Sequence, residues 1–135
     1  MSILVNIDVP DLSRAVAFYT NGLGLHVGRR FDDGFLELLG AGSPIYLLVK
    51  VAGTSPIPSR DLPPRTYERH WTPVHLDFVV EDVTAARDRA LAAGASAEGD
   101  ISEHAYGRLA LMADPFGNGF CLLQFTGRGY DAIAT

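Results

Sequence analysis

The chain has 135 residues and a mass of 14.5 kDa, room for one compact unit at roughly 150 residues per domain. Eleven basic against sixteen acidic residues leave a net charge of −5 and a pI near 5.2, which argues against nucleic acid or an anionic membrane surface as partner. With 47% apolar residues the chain can bury an ordinary core, while its single cysteine, Cys121, excludes an intrachain disulfide. The uncharged stretch Leu38 to Val49 is interrupted by Pro44, and no uncharged run in the chain is long enough to span a bilayer. The opening residues show neither a basic region nor a long apolar run, so a cytoplasmic location is expected.

Residues 3–9 alternate, with Val5, Ile7 and Val9 on one side and Leu4, Asn6 and Asp8 on the other, which predicts a strand with two unlike faces. After Pro10, Asp11 is set to cap a helix in which Leu12, Ala15, Val16, Tyr19 and Leu23 recur at helical spacing, with Gly22 or Gly24 as the stop. Three apolar runs follow at 25–31, 35–39 and 45–51, separated by Asp32-Asp33-Gly34 and by Gly40-Ala41-Gly42-Ser43-Pro44. The first module, about 3–51, therefore reads βαβββ. Residues 52–72 carry four prolines and three arginines and read as a linker.

A second module, about 73–126, repeats the order. Val74 to Val80 restarts the alternation, Asp82 opens a helix that Gly94 closes, and further runs follow weakly at 96–99, then at 108–112 and 120–125. One constant offset pairs Asp11 with Asp82, Leu4 with His75, Asn6 with Asp77 and Val9 with Val80, the mark of an internal duplication. Residues 127–135 form a short tail. The expected fold is a single α+β (α/β) domain, 1–135, of two tandem βαβββ modules.

Four features carry a family resemblance: Val9-Pro10-Asp11-Leu12 with Ala17-Phe18-Tyr19, the Gly22-Leu23-Gly24-Leu25 helix exit, the second opening Val74-His75-Leu76-Asp77-Phe78, and the turn Asp114-Pro115-Phe116-Gly117-Asn118. In this order and duplicated, they resemble the vicinal-oxygen-chelate superfamily, which holds glyoxalase I, bleomycin-resistance proteins, fosfomycin-modifying enzymes and extradiol dioxygenases. The resemblance implies a cup-shaped curled sheet, a homodimer, and, in catalytic members, a divalent metal held by one residue from the first and last strand of each module. Those four places fall on Leu4, Tyr46, His75 and Cys121. Leu4 offers no donor atom and a neutral phenol is a poor ligand, so His75 and Cys121 alone remain for a metal.

The expected function is therefore that of the bleomycin-resistance side: binding a small organic ligand in the cup, as drug or metabolite sequestration, with no metal. The alternative is an enzyme, either a lyase, isomerase or dioxygenase using zinc, nickel, manganese or iron, or a metal-free acid–base catalyst using His75. A further alternative is a scaffold whose cup is filled by its own side chains. Asn6, Asp8, His75 and Asp77 form a polar line that either reads a ligand or satisfies itself internally. His75 and Asp77 stand two positions apart, which does not assure a direct bond. Trp71 is a candidate stacking platform, Tyr106 and Arg108 candidate readers on a loop over the pocket, and Tyr46 and Cys121 candidate lining residues. Glu37, alone among apolar neighbours, is a candidate general base or substitute ligand if it faces the cup, and ordinary surface otherwise.

Overall fold

The computed structural model describes all residues 1–135 and places the duplicated elements in two curled sheets. In the first half, β1 (Val5–Val9), β2 (His26–Asp32), β3 (Phe35–Leu39) and β4 (Ile45–Val49) join in the order β1-β4-β3-β2. β1 runs parallel to β4, and the other pairs are antiparallel. In the second half β5 (Leu76–Val79) lies parallel to β9 (Gly119–Phe125), which pairs antiparallel with β8 (Gly107–Ala113). Asn6 stands opposite Tyr46 and Asp77 opposite Cys121, so the two halves share register as well as order.

The weak run predicted at 96–99 is longer and broken. β6 (Ser96–Ala97) and β7 (Ser102–His104) pair with successive stretches of β8, and the chain bulges between them. The Gly99-Asp100 pair, poor in strand propensity, sits at this break. β7, expected as part of a loop over the pocket, is instead one arm of a tight hairpin.

Both helices start as their sequence requires. Asp11 accepts a 3.0 Å bond from the Arg14 amide before α1 (Leu12–Ala17), and Asp82 one of 3.0 Å from the Ala85 amide before α2 (Val83–Ala92). The first helix is shorter than its apolar spacing predicts, because from Phe18 to Gly22 it widens into a π-helical turn. There the Thr20 hydroxyl bonds back to the Val16 carbonyl at 2.7 Å, competing with the regular ladder.

Alternate residues of β3, β4, β8 and β9 face the helices and build a single core. Leu36, Leu38 and Leu47 of the first half and Met112 and Leu122 of the second are at most 1% exposed. Three contacts tie the halves across this core. Phe18 packs edge-on against Phe120 at 6.2 Å, Arg89 Nε of α2 donates to the Asn21 carbonyl at 2.6 Å, and the buried Tyr19 hydroxyl donates to Asp114 at 2.7 Å. Asp114, 3% exposed, also accepts from the Phe116 and Asn118 amides and from Asn118 Nδ2.

The tail is ordered: a 3₁₀ turn at Gly129–Ala132 sets Tyr130 edge-on to Phe125 at 4.8 Å. No helix is long and apolar enough to cross a membrane.

Replacing Tyr19 with Phe removes one donor from a buried carboxylate and is expected to lower stability by about 1.5–3 kcal/mol, the range for hydrogen bonds to charged groups. Urea unfolding of Tyr19→Phe beside wild type measures it, and equal midpoints would mean this contact does not hold the halves together.

Candidate functional site: a cleft between the duplicated halves

β1 and β5 are each bonded to a neighbour on one side only. Residues from both strands line a cavity of about 460 Å³. Its apolar wall comes from Val5, Ile7, Leu76, Phe78 and Phe120, with the ring of Tyr19 beside them. Its polar wall includes Asn6, Asp8 and His75, as the sequence suggested, and also Arg65 and His70 from the connection between the halves. A concavity of this size and mixed lining suits a small organic molecule.

The connection is more than a linker. The Gly53 amide donates to the Arg65 carbonyl and the Arg65 amide to the Thr54 carbonyl, both at 2.8 Å, closing residues 54–65 into a loop. Arg65 Nε then donates to Asp8 Oδ2 at 2.8 Å, and the Tyr67 hydroxyl to the Lys50 carbonyl at 2.6 Å. Further along, His70 makes a bridge with Asn118. Sequence reasoning missed Arg65, Tyr67 and His70 as wall residues. The available signal was an arginine, a tyrosine and a histidine inside a proline-rich stretch, and composition alone does not say which surface such a stretch crosses.

His75, Asp77 and Cys121 come together beside the cleft. His75 Nε2 lies 3.2 Å from Asp77 Oδ1, and the ligating atoms of all three residues lie within 4.8 Å of one another. The sequence did not assure the His75–Asp77 contact from strand spacing; side chains of i and i+2 share a face, and here they lean together. Burial, with the Asp77 charge and a hydrogen bond to its carboxylate, pushes the Cys121 thiol up to about 12. A thiol raised this far is not a ready nucleophile at neutral pH.

At the matching places of the first half the chemistry differs. Leu4 is an exposed aliphatic side chain, and the Tyr46 hydroxyl donates to Glu37 Oε2 at 3.0 Å. Glu37 is only 4% exposed, and Arg29 grips it with Nη2 at 2.6 Å, Nε at 3.1 Å and the backbone amide at 3.2 Å. Gly28 makes room for this arrangement, since a Cβ there would stand 2.6 Å from Glu37 Oε1. The Arg29 bonds hold the Glu37 carboxyl down at about 2, against an ordinary value of 4.5, so it is a weak base with its lone pairs engaged. Three possible metal donors therefore gather on the second half, and the first half adds none at the equivalent places. The four-cornered set that the resemblance implies does not assemble.

The remaining sequence candidates lie elsewhere. Trp71 rests against Gly119, where a Cβ would come within 2.5 Å of the indole; it meets His75 edge-on at 5.5 Å, and Arg69 lies over its ring. It stands beside the cleft but does not line it. Tyr106 stacks on His104 at 4.9 Å and packs against Tyr130, while Arg108 bonds Glu103 at 2.8 Å and Thr84 at 3.3 Å. Neither Tyr106 nor Arg108 reaches the cavity, because the β7–β8 hairpin turns toward the tail and α2.

The family model described as a glyoxalase-like domain matches residues 4–123. The chain belongs to the vicinal-oxygen-chelate superfamily. It is 33% identical over 139 aligned positions to an ethylmalonyl-CoA/methylmalonyl-CoA epimerase of Cereibacter sphaeroides, covering 89% of this chain and 92% of that protein. Among solved structures, a glyoxalase-related enzyme from Fulvimarina pelagi superposes with a TM-score of 0.69 at 17% identity, covering 92% of this chain and 87% of the other. The fosfomycin resistance protein FosX of Listeria monocytogenes superposes with a TM-score of 0.69 at 19% identity, covering 93% of each chain. At those identities the structural likeness speaks for the fold, and the superfamily places the cleft described above within a scaffold that hosts several chemistries.

Two measurements check the site's electrostatics. Because Glu37 titrates lower folded than unfolded, its contribution to stability is complete above about 4.5 and disappears as pH falls from there toward about 2. Chemical denaturation across that range should show the loss in wild type, and Arg29→Met should be less stable at neutral pH and lack that acid-side decline. Cys121 in the native protein should resist a disulfide reagent at about pH 8 and react promptly once urea unfolds the chain, as expected for a buried, protonated thiol.

Proposed function

We propose that this protein is a small-molecule receptor, a homodimer of the cytoplasm, that takes an organic ligand in the cleft between β1 and β5 without a resident metal. One observation carries the reading: the places where catalytic relatives hold an ion are unequally furnished. The second half offers His75, Asp77 and Cys121, whereas the first offers the aliphatic Leu4 and a Tyr46 already bonded to Glu37. What the two halves do share is a concave space of about 460 Å³ with an apolar wall and a polar wall. Support for the dimer comes from Val79 and Leu111, exposed apolar residues on the sheet face that carries Asp77 and Cys121. The one unpaired thiol suits a reducing compartment.

A second reading is favoured by the His75–Asp77 contact and by the name of the Cereibacter sphaeroides relative. An epimerase must remove a proton beside a carbonyl and return one to the other face. His75, lining the cleft and oriented by Asp77, is placed to accept such a proton, and a positioned base of this kind contributes roughly 10²–10⁴-fold.

Ligand binding by chelator-dialysed protein separates these readings from a metal-dependent one. Receptor function predicts unchanged affinity after dialysis and a loss of about tenfold or more when Ile7→Trp fills the cleft. A divalent ion present at one per chain and required for binding would overturn the proposal. Incubating methylmalonyl-CoA with the protein in D₂O tests the second reading: exchange of the acidic proton that His75→Ala abolishes would make the protein an epimerase.

A further inference from the structure

The cleft contains one cation whose geometry the fold has fixed in advance. Arg65 is 17% exposed at its side chain, and its backbone is pinned on both sides by the bonds to Gly53 and Thr54. Its Nε donates to Asp8 at 2.8 Å, and its Nη1 to the Ser55 carbonyl at 2.8 Å and to Thr54 Oγ1 at 3.2 Å. Those three bonds engage Nε and both hydrogens of Nη1, while Nη2 has no partner in the protein and is not sealed from solvent. An arginine held this way has already lost its rotational freedom, so an acceptor arriving at Nη2 need not order it.

We infer that Arg65 is an anion anchor and that the cleft selects organic monocarboxylates with an apolar body. The inference rests on the receptor reading above and names the ligand class for the same cavity. One ligand charge is the most the cleft can take, because its one fixed cation already faces Asp8. The charged and titratable residues lining the cleft are Asp8, Arg65, His70 and His75, with the hydroxyls of Tyr19 and Tyr67 already donating to Asp114 and to the Lys50 carbonyl. Asp77 stands just behind His75. Arg65 is shared with Asp8, so only the two diverging N–H groups of Nη2 remain, one of which can donate to one oxygen of a ligand carboxylate, and a second ligand charge would meet Asp8 with no cation left to offset it. His70 Nδ1 donates to the Glu68 carbonyl at 2.8 Å, which fixes the ring and leaves Nε2 as the acceptor nitrogen of the neutral imidazole. Opposite this polar side, Ile7, Phe78 and Phe120 offer a surface for an aliphatic or aromatic body.

The test uses a matched pair, benzoate and its neutral isostere benzamide, titrated into the full-length protein with binding read from backbone amide NMR shifts of residues lining the cleft. Benzoate should bind about tenfold or more tightly than benzamide, and added salt should weaken benzoate alone. Arg65→Met should abolish the preference. Should Arg65→Met fail to fold, the salt dependence and Arg65→Lys, expected to keep a reduced preference, decide instead. Equal affinity for the two compounds, or a preference that survives Arg65→Met, overturns the anchor and leaves the receptor reading standing. If neither compound shifts any cleft residue, the anchor falls and the receptor reading loses its support as well.

Discussion

The Asp114 carboxylate organises this molecule. It is buried, it accepts from the Phe116 and Asn118 amides and the Asn118 side chain, and its remaining acceptance goes to Tyr19 from the other half of the chain. A buried carboxylate tolerates such a place only when every lone pair is engaged, so the turn before β9 and the π-helical turn after α1 fix each other. Burial and the Asp114 charge in turn raise the Tyr19 hydroxyl well above the ordinary tyrosine range, keeping it a donor at any physiological pH. The cleft inherits its floor from this knot, since Tyr19, Asn118 and Gly119 all border it.

The two halves share a backbone plan and have parted in chemistry. At the position paired with the first strand, one half has Tyr46 and the other Cys121. Next to Tyr46, Glu37 is neutralised by an arginine; opposite Cys121 the corresponding residue is Leu111. The first half has turned its polar group into an internal ion pair capped by a phenol. The second has kept an imidazole, a carboxylate and a thiol in mutual contact. A symmetric scaffold thereby carries unsymmetric chemistry on its two sheets.

Much of the fold was legible in the sequence because its signals are local. Asp11 and Asp82 mark helix starts through bonds within one turn, and the alternation in β3, β4, β8 and β9 reports a face that each strand buries by itself. The features that were not legible depend on contacts between distant segments. Nothing near Arg65 announces that it will meet Asp8, and the proline-rich stretch reads as a spacer until its loop closure is seen. Glu37 stood out as a charge among apolar neighbours, but only the bulged β2 brings Arg29 over it. Tyr106 and Arg108 looked like pocket residues because the break between β6 and β7 was hidden, and with it the direction of the hairpin.

The edges of β1 and β5 face the cleft with no ladder of main-chain bonds joining them. The gap between the sheets is therefore set by side-chain contacts at its floor and by the connection across it. A few tenths of an ångström of widening would break no backbone hydrogen bond between the two sheets, so the aperture can change while each sheet stays intact.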